Sequence, residues 1–314
     1  MDSNIPIEIQ ILFIAVVTDL LFGDPPNKLH PTAWIGSSIM WMKHMTPKSN
    51  TGRFIYGAII AITIPSIWAI LSYLVGHVAV LLNDIANILV TALILKTTFS
   101  IRMLHKTAFR IKTLVENNNL EQVRLEMSAL VSRNTTNMND KQAIAATIES
   151  VSENVTDSFV APILAFALFG LPGAVAYRAI NTLDSMIGYR GEYEYLGKVS
   201  AKLDDLVNFL PARFAAFMLW ISSIILPGLN YKSAWHIMIR DHAKTPSPNA
   251  GWTMSIVAGA LGVTLAKEGE YSLGDNNNIL QTNYISKAVK SMYFGAGMTV
   301  AVAAVLILII DLGL

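Results

Sequence analysis

The chain has 314 residues, of which 53% are hydrophobic and 14% charged, with 23 Lys and Arg against 22 Asp and Glu. Soluble domains carry about 25% charged residues, so the polar surface of an ordinary globular protein is missing, and the apolar residues fall in blocks near the roughly 20 residues that cross a bilayer as a helix. Absence of cysteine excludes disulfides, thiolate catalysis and zinc–thiolate sites, and a net charge of +1 without a basic run offers nothing to nucleic acid.

The first expected span is 5–22, "IPIEIQILFIAVVTDLLF". It has no preceding Lys or Arg and no small-residue cleavage site, so it reads as a retained span rather than a leader. Residues 54–82 and 84–101 are parted only by Asn83 and Asp84, which predicts a tight helical hairpin. Residues 102–148 are polar, with apolar residues at helical spacing and Asn139 or Asp140 as a natural N-cap; they are expected to form a cytoplasmic helical insertion. The apolar stretch 158–175 is interrupted by Pro162, Gly170, Pro172 and Gly173 and predicts a re-entrant or half-membrane element. A span over 209–229, a short Gly-rich segment over 250–266 and a last span over 291–314 complete the chain.

The expected fold is therefore all-α: a single membrane-embedded domain over 1–314 with about five transmembrane helices, short or re-entrant apolar segments, and the 102–148 insertion. Lys28, Lys43, Lys48 and Arg53 follow the first span, and seven Lys or Arg lie in 102–148. The positive-inside rule places both segments in the cytoplasm. A multi-pass protein of the cytoplasmic membrane, with its active site on the cytoplasmic side, is the reading.

Polar residues gather in four strings. "GDPPNKLHPTAWIG" (23–36) is a rigid turn presenting Asp24, His30 and Trp34. "ESVSENVTDSF" (149–159) places Glu149, Glu153 and Asp157 at i, i+4 and i+8, where like charges repel unless a cation offsets them; Mg²⁺ prefers such carboxylate oxygens. Between 177 and 213, Tyr177, Asn181, Asp184, Ser185 and Gly188 make one polar helical stripe, and Asp204, Asp205 and Asn208 another. Arg178, Arg190, Lys202 and Arg213 lie near both, and acids interleaved with Arg suit a metal plus a phosphate. "RDHAKTPSPNAGW" (240–252) is a Pro-rich loop carrying Arg240, Ser247 and Asn249. No phosphate loop, G-x-S-x-G or H-E-x-x-H is present.

These strings, extended to "ESVSENVTDSFVAPILAFALFGLPGAVAYRAINTLDSMIGYR", "SAKLDDLVNFLPAR" and "RDHAKTPSPNAGWTMSIVAGALGV", closely resemble the cobinamide-phosphate synthase family (CbiB/CobD) of cobalamin biosynthesis, in the family's order and over most of the chain. The resemblance implies a membrane enzyme that joins aminopropanol or its O-phosphate to adenosylcobyric acid through an amide bond. Mg²⁺ and ATP as co-substrate would serve it, with the corrinoid, the amine, the lipid bilayer and other cobalamin-assembly enzymes as partners.

Residue chemistry then suggests roles. Glu153, Asp157 and Asp184, with Asp204 or Asp205, would hold Mg²⁺, and Arg190, Lys202 and Arg213 phosphates. Glu149 or His30 would take the amine proton. Arg240, Ser247 and Asn249 would contact the corrinoid or the aminopropanol phosphate, and Asp24, Asn154, Asn181 and Ser185 would add polar substrate contacts. Two alternatives stand beside this reading. A CDP-alcohol phosphotransferase is similar in kind, but its motif would require acids where Asn181 and Asn208 stand and a glycine at Ser185. An ion-coupled transporter would want mid-span carboxylates and an inverted repeat.

Overall fold

The computed structural model describes residues 5–131, 134–189, 191 and 193–313. In chain order the helices are α1 (Ile7–Phe22), α2 (Pro31–Lys43), α3 (Asn50–Leu82), α4 (Asp84–Lys96), α5 (Ile101–Glu116), α6 (Leu120–Leu130) and α7 (Asp140–Val155). There follow α8 (Ala161–Ile187), α9 (Lys198–Val207), α10 (Phe209–Ile225), α11 (Tyr231–Asp241), α12 (Ala250–Leu261) and, after a hairpin of β1 (Leu265–Lys267) and β2 (Tyr271–Leu273), α13 (Asn283–Asp311). Among the described residues the protein is all-α apart from that hairpin.

Local chemistry sets the boundaries. Gly23, at φ 74°, and the two prolines after Asp24 end α1. Asn83 starts α4 by accepting from the Ala86 amide, which makes the two-helix turn between α3 and α4 as tight as expected. At α7 the cap is Asn139, with Gln142 returning the bond to the Asn139 amide. Residues 102–148 fold as α5, α6 and the first half of α7.

Among the described residues, four helical stretches are long and apolar enough to cross a membrane: 50–82, 84–116, 140–187 and 283–311. A fifth arises if α9 and α10, bent by 46°, are one span. The total agrees with the expectation, but its membership differs. The 16 residues of α1 fall short of that length: the helix ends at Phe22, where it was expected to, but begins only at Ile7, after Pro6. In its place stands 140–187, broken within α8 at Gly170. There φ is 65° and ψ −163°, a conformation open to glycine and strained for other residues. Segment 250–266 is short as predicted, becoming α12 and the start of the hairpin.

The chain divides into two compact units. Unit 1 comprises residues 1–100, 157–208 and 300–314. In it α3 runs along α8, α2 and α9 pack on both, and α1 packs on α4. Ile35 and Ile39, Ile60 and Ile64, and Ala179, Leu183 and Ile187 form three stripes at helical spacing that meet around Leu196. The opposite side of α3 leaves Ile59, Ile62, Ile67, Ile70, Leu74 and Val78 exposed, as befits a lipid-facing surface.

Unit 2 comprises residues 101–156 and 209–299. Its centre is α12, buried at Gly251 and from Thr253 to Leu261, with α7, α10 and α11 against it. α5 and α6 pack on α7, and the β hairpin covers α7 and α12.

Candidate functional site

In unit 1 the turn after α1 meets the end of α4. Lys96 is 2% exposed and Asp19 0%, so an ion pair of 3.2 Å lies inside the helices. Asp24 closes on the same ammonium with its other face toward Ser100 Oγ, which donates at 2.8 Å, and His30 Nε2 stands 3.7 Å away. Burial alone would raise the Asp24 carboxyl, but nearby His30, the hydrogen bonds of Lys96 and Ser100 and the Lys96 charge outweigh it and hold the group well below the usual carboxylate range. His30 Nδ1 accepts from the Thr32 amide at 3.2 Å and so caps α2. A neutral imidazole has one accepting nitrogen, so the cap takes the lone pair that a proton acceptor would need.

A second network joins α8 to α9. Asn208 donates to Asp204 Oδ2 at 3.0 Å and Asn181 donates to Oδ1 at 3.4 Å, so each oxygen of Asp204 is oriented by an amide. These amides are oriented in turn. The Tyr177 hydroxyl donates to Asn208 Oδ1 at 2.8 Å, and Arg178 Nη1 to Asn181 Oδ1 at 3.3 Å. Tyr177 also lies 3.5 Å from Asp157 Oδ1. Asp184 is within electrostatic reach of Asp204 and Asp205, and Arg178 of both Asp157 and Asp24, so the two clusters adjoin through Arg178. Gly188 makes room for Asp184, because a Cβ there would stand 2.0 Å from Asp184 Oδ1. Lys202 is exposed and pairs with Asp205 at 3.6 Å, while the Ser185 hydroxyl turns back to the Asn181 carbonyl at 2.8 Å. Arg190 lies outside the described residues.

The row of acids that opened at Glu149 is not one uniform face. A π turn over Thr156–Val160 interrupts the helical pitch where Asp157 sits. In unit 2, Glu149 is 2% exposed and accepts from the Tyr271 hydroxyl at 3.3 Å, Glu153 is exposed, and Asn154 donates to the Ser150 carbonyl at 2.9 Å. Elsewhere in the unit Arg213 lies over the rings of Phe209 and Trp252 and donates to Asn249 Oδ1 at 3.2 Å, and the Asn249 amide donates to Ser247 Oγ at 3.2 Å. Arg240 is already engaged: it grips Asp241 through two bonds of 2.7 and 2.8 Å and Asp275 through one of 2.8 Å. Asp241, fully enclosed, also takes Lys244 at 2.6 Å and the Gly274 amide at 2.8 Å. Burial raises its carboxyl, yet Arg240, Lys244 and the Gly274 amide together hold it well below the ordinary range.

A sequence profile of the family described as CobD/Cbib protein matches residues 12–293. The chain belongs to that family. Cobalamin biosynthesis protein CobD of Dehalococcoides mccartyi (strain CBDB1) is 43% identical over 281 residues, covering 89% of this chain and 91% of that protein. A probable cobalamin biosynthesis protein CobD of Methanothermobacter thermautotrophicus is 40% identical over 90% of this chain and 92% of its own length. One of Methanocaldococcus jannaschii is 35% identical over 84% and 87%. No solved structure matches the chain.

Among the described residues of this CobD/Cbib chain, no three His, Asp or Glu are gathered as a metal-holding group. The five acids expected around Mg²⁺ thus do not form an all-protein cage. Mg²⁺ does not require one, since one or two carboxylates with substrate phosphates and water suffice. Asp204, with both oxygens fixed by amides, and neighbouring Asp205 fit that role. Sequence reasoning left out Lys96, Asp19 and Ser100, and gave Tyr177, Arg178 and Asn208 no role. The signal for the first pair was present: an Asp and a Lys inside apolar helices are functional candidates by default.

Proposed function

We propose that this CobD/Cbib chain acts in cobalamin biosynthesis as an ATP- and Mg²⁺-dependent ligase that joins aminopropanol, or its O-phosphate, to adenosylcobyric acid. The observation that carries this reading is the carboxylate of Asp204, oriented by Asn181 and Asn208, which are themselves held by Arg178 and Tyr177. Such an outer layer of hydrogen bonds is what a cation ligand needs to keep its geometry.

Activation of the acid requires its carboxylate oxygen to take the terminal phosphoryl group of ATP, releasing ADP and leaving an acyl phosphate. The amine nitrogen then attacks the acyl carbon, the amide bond forms, and phosphate departs. Bound Mg²⁺ would offset the charge on the phosphates. Asp204 and Asp205 would hold it, and Arg178 would face the transferring group's negative charge. Asp184, whose carboxylate has no amide donor among the described residues, would receive the amine proton. His30 is assigned to holding α2 rather than to proton transfer, because its accepting nitrogen caps that helix. The reactive side would face the cytoplasm, where ATP is available.

Purified protein in detergent, given adenosylcobyric acid, ATP, Mg²⁺ and aminopropanol phosphate, should yield an amidated corrinoid detectable by mass spectrometry. Asp204→Asn keeps the size of the side chain and should lower turnover about 10–100-fold, with an increased Mg²⁺ requirement. A folded sample that forms no amide with either amine overturns the reading.

A further inference from the structure

One end of the α11–α12 hairpin in unit 2 carries polar groups that the proposed reaction does not use. There the turn before α11, the end of α12, Asn277 and Asn278, and the first turns of α13 enclose a cavity of about 260 Å³. Ser233, in the first turn of α11, lines the cavity, and the seven residues from it to Arg240 put about 10 Å of helix, at 1.5 Å per residue, between the cavity and Arg240 and Asp241.

The walls present amides, hydroxyls and one ammonium, and no carboxylate. Lys287 donates to the Gly228 carbonyl at 3.0 Å and has no acidic partner among the described residues. The same ammonium lies over the Tyr284 ring, 5.2 Å from its centre, and with three donors it keeps hydrogen-bonding capacity beyond the Gly228 carbonyl. Asn278 uses its side-chain amide nitrogen on the Leu261 carbonyl at 2.9 Å and the Asn277 backbone amide donates to the Asp275 carbonyl at 2.9 Å, while the Asn277 side-chain amide and the Tyr284 hydroxyl have no hydrogen-bond partner among the described residues. Two corners stay open for want of a side chain: a Cβ on Gly262 would come within 2.7 Å of Asn278 Nδ2, and one on Gly228 within 3.1 Å of Lys287 Nζ. Tyr284 and Lys287 begin a helix long enough to span the membrane. Those residue types settle at the membrane–water boundary, the level of the lipid phosphates.

We propose that this cavity binds a phosphate group, carried either by a phospholipid headgroup or by a small phosphate in solution. A positive charge with spare donors and no competing acid selects an anion, and the volume suits a headgroup rather than a nucleotide.

The full chain in detergent would be tested with two probes, lyso-phosphatidylglycerol followed by native mass spectrometry and inorganic phosphate followed by calorimetry. Lys287→Met and Asn277→Leu should each weaken the bound probe about tenfold, the loss of one charge-assisted contact, with melting temperatures near that of the parent protein. Retention of the lysolipid alone assigns the lipid headgroup, and binding of phosphate assigns a soluble anion. Failure of both probes to bind, or equal binding by the parent and by whichever variants fold, overturns the proposal. The site stands apart from the ligase reading, so either can fail alone.

Discussion

Lys96 sits in the last turn of α4, where a lysine ordinarily reaches out to water along its stem. It does the opposite, pairing inward with Asp19 and Asp24. Lys96→Met would remove the ammonium that Asp19 and Asp24 share, and loss of one partner from a buried ion pair costs about 3–5 kcal/mol; a clear fall in melting temperature in detergent is the expected result. At Asp241 the effect should follow pH. Its carboxyl is held below the ordinary range in the folded chain, so its contribution is fully present above the unfolded value of about 3.9 and is lost as pH falls through the folded value. Asp241→Asn should therefore melt lower than the parent by a constant margin from neutral pH down to about 4, the margin shrinking in more acidic buffer. At this scale the sequence revealed residue type and periodicity: the stripe of Asn181 and Asp184 and that of Asp204 and Asn208 were each readable because helical spacing puts such residues on one face of their own helix, whereas the amide bonds that join the two stripes were not. Lys96 and Asp24, 72 residues apart, were not connected, since nothing local encodes a pairing across helices.

Among the elements, capping and turn chemistry were read with most success. Asn139 starts α7 as its side chain requires, and the Gly-Asp-Pro-Pro turn ends α1. Glu149, Glu153 and Asp157 departed from the expected row because a π turn adds a residue to one helical turn, which no 3.6-residue template contains. The break in α8 was foreseen from Gly170 and Pro172, and its backbone is observed at φ 65°. Gly170→Ala would force a side chain into that essentially glycine-only region, at a cost of about 1–3 kcal/mol. A measurable drop in thermal stability is expected, whereas an unchanged melting curve would mean that α8 had straightened.

At the scale of the molecule, composition alone announced a polytopic membrane protein, because 14% charged residues cannot cover 314 in water. Division into two units was not legible, since unit 1 takes residues 157–208 from the middle of the chain and 300–314 from its end. The predicted sidedness can be measured directly in a chain that has no native cysteine. Ser247→Cys should react with an impermeant maleimide only after cells are opened; labelling of intact cells would place that loop outside. The ion pair of Lys96 with Asp19 also bears on how the protein is made. A lysine in an apolar segment raises the free energy of its entry into lipid, by at most about 2.5–3.5 kcal/mol, the figure for the centre of a span. The helix that carries its counter-charge precedes it in the chain, so α1 is already available when α4 is synthesised. Entry of α4 into the membrane is then expected to lean on α1: a nascent chain carrying Asp19→Asn should insert α4 less completely than the parent.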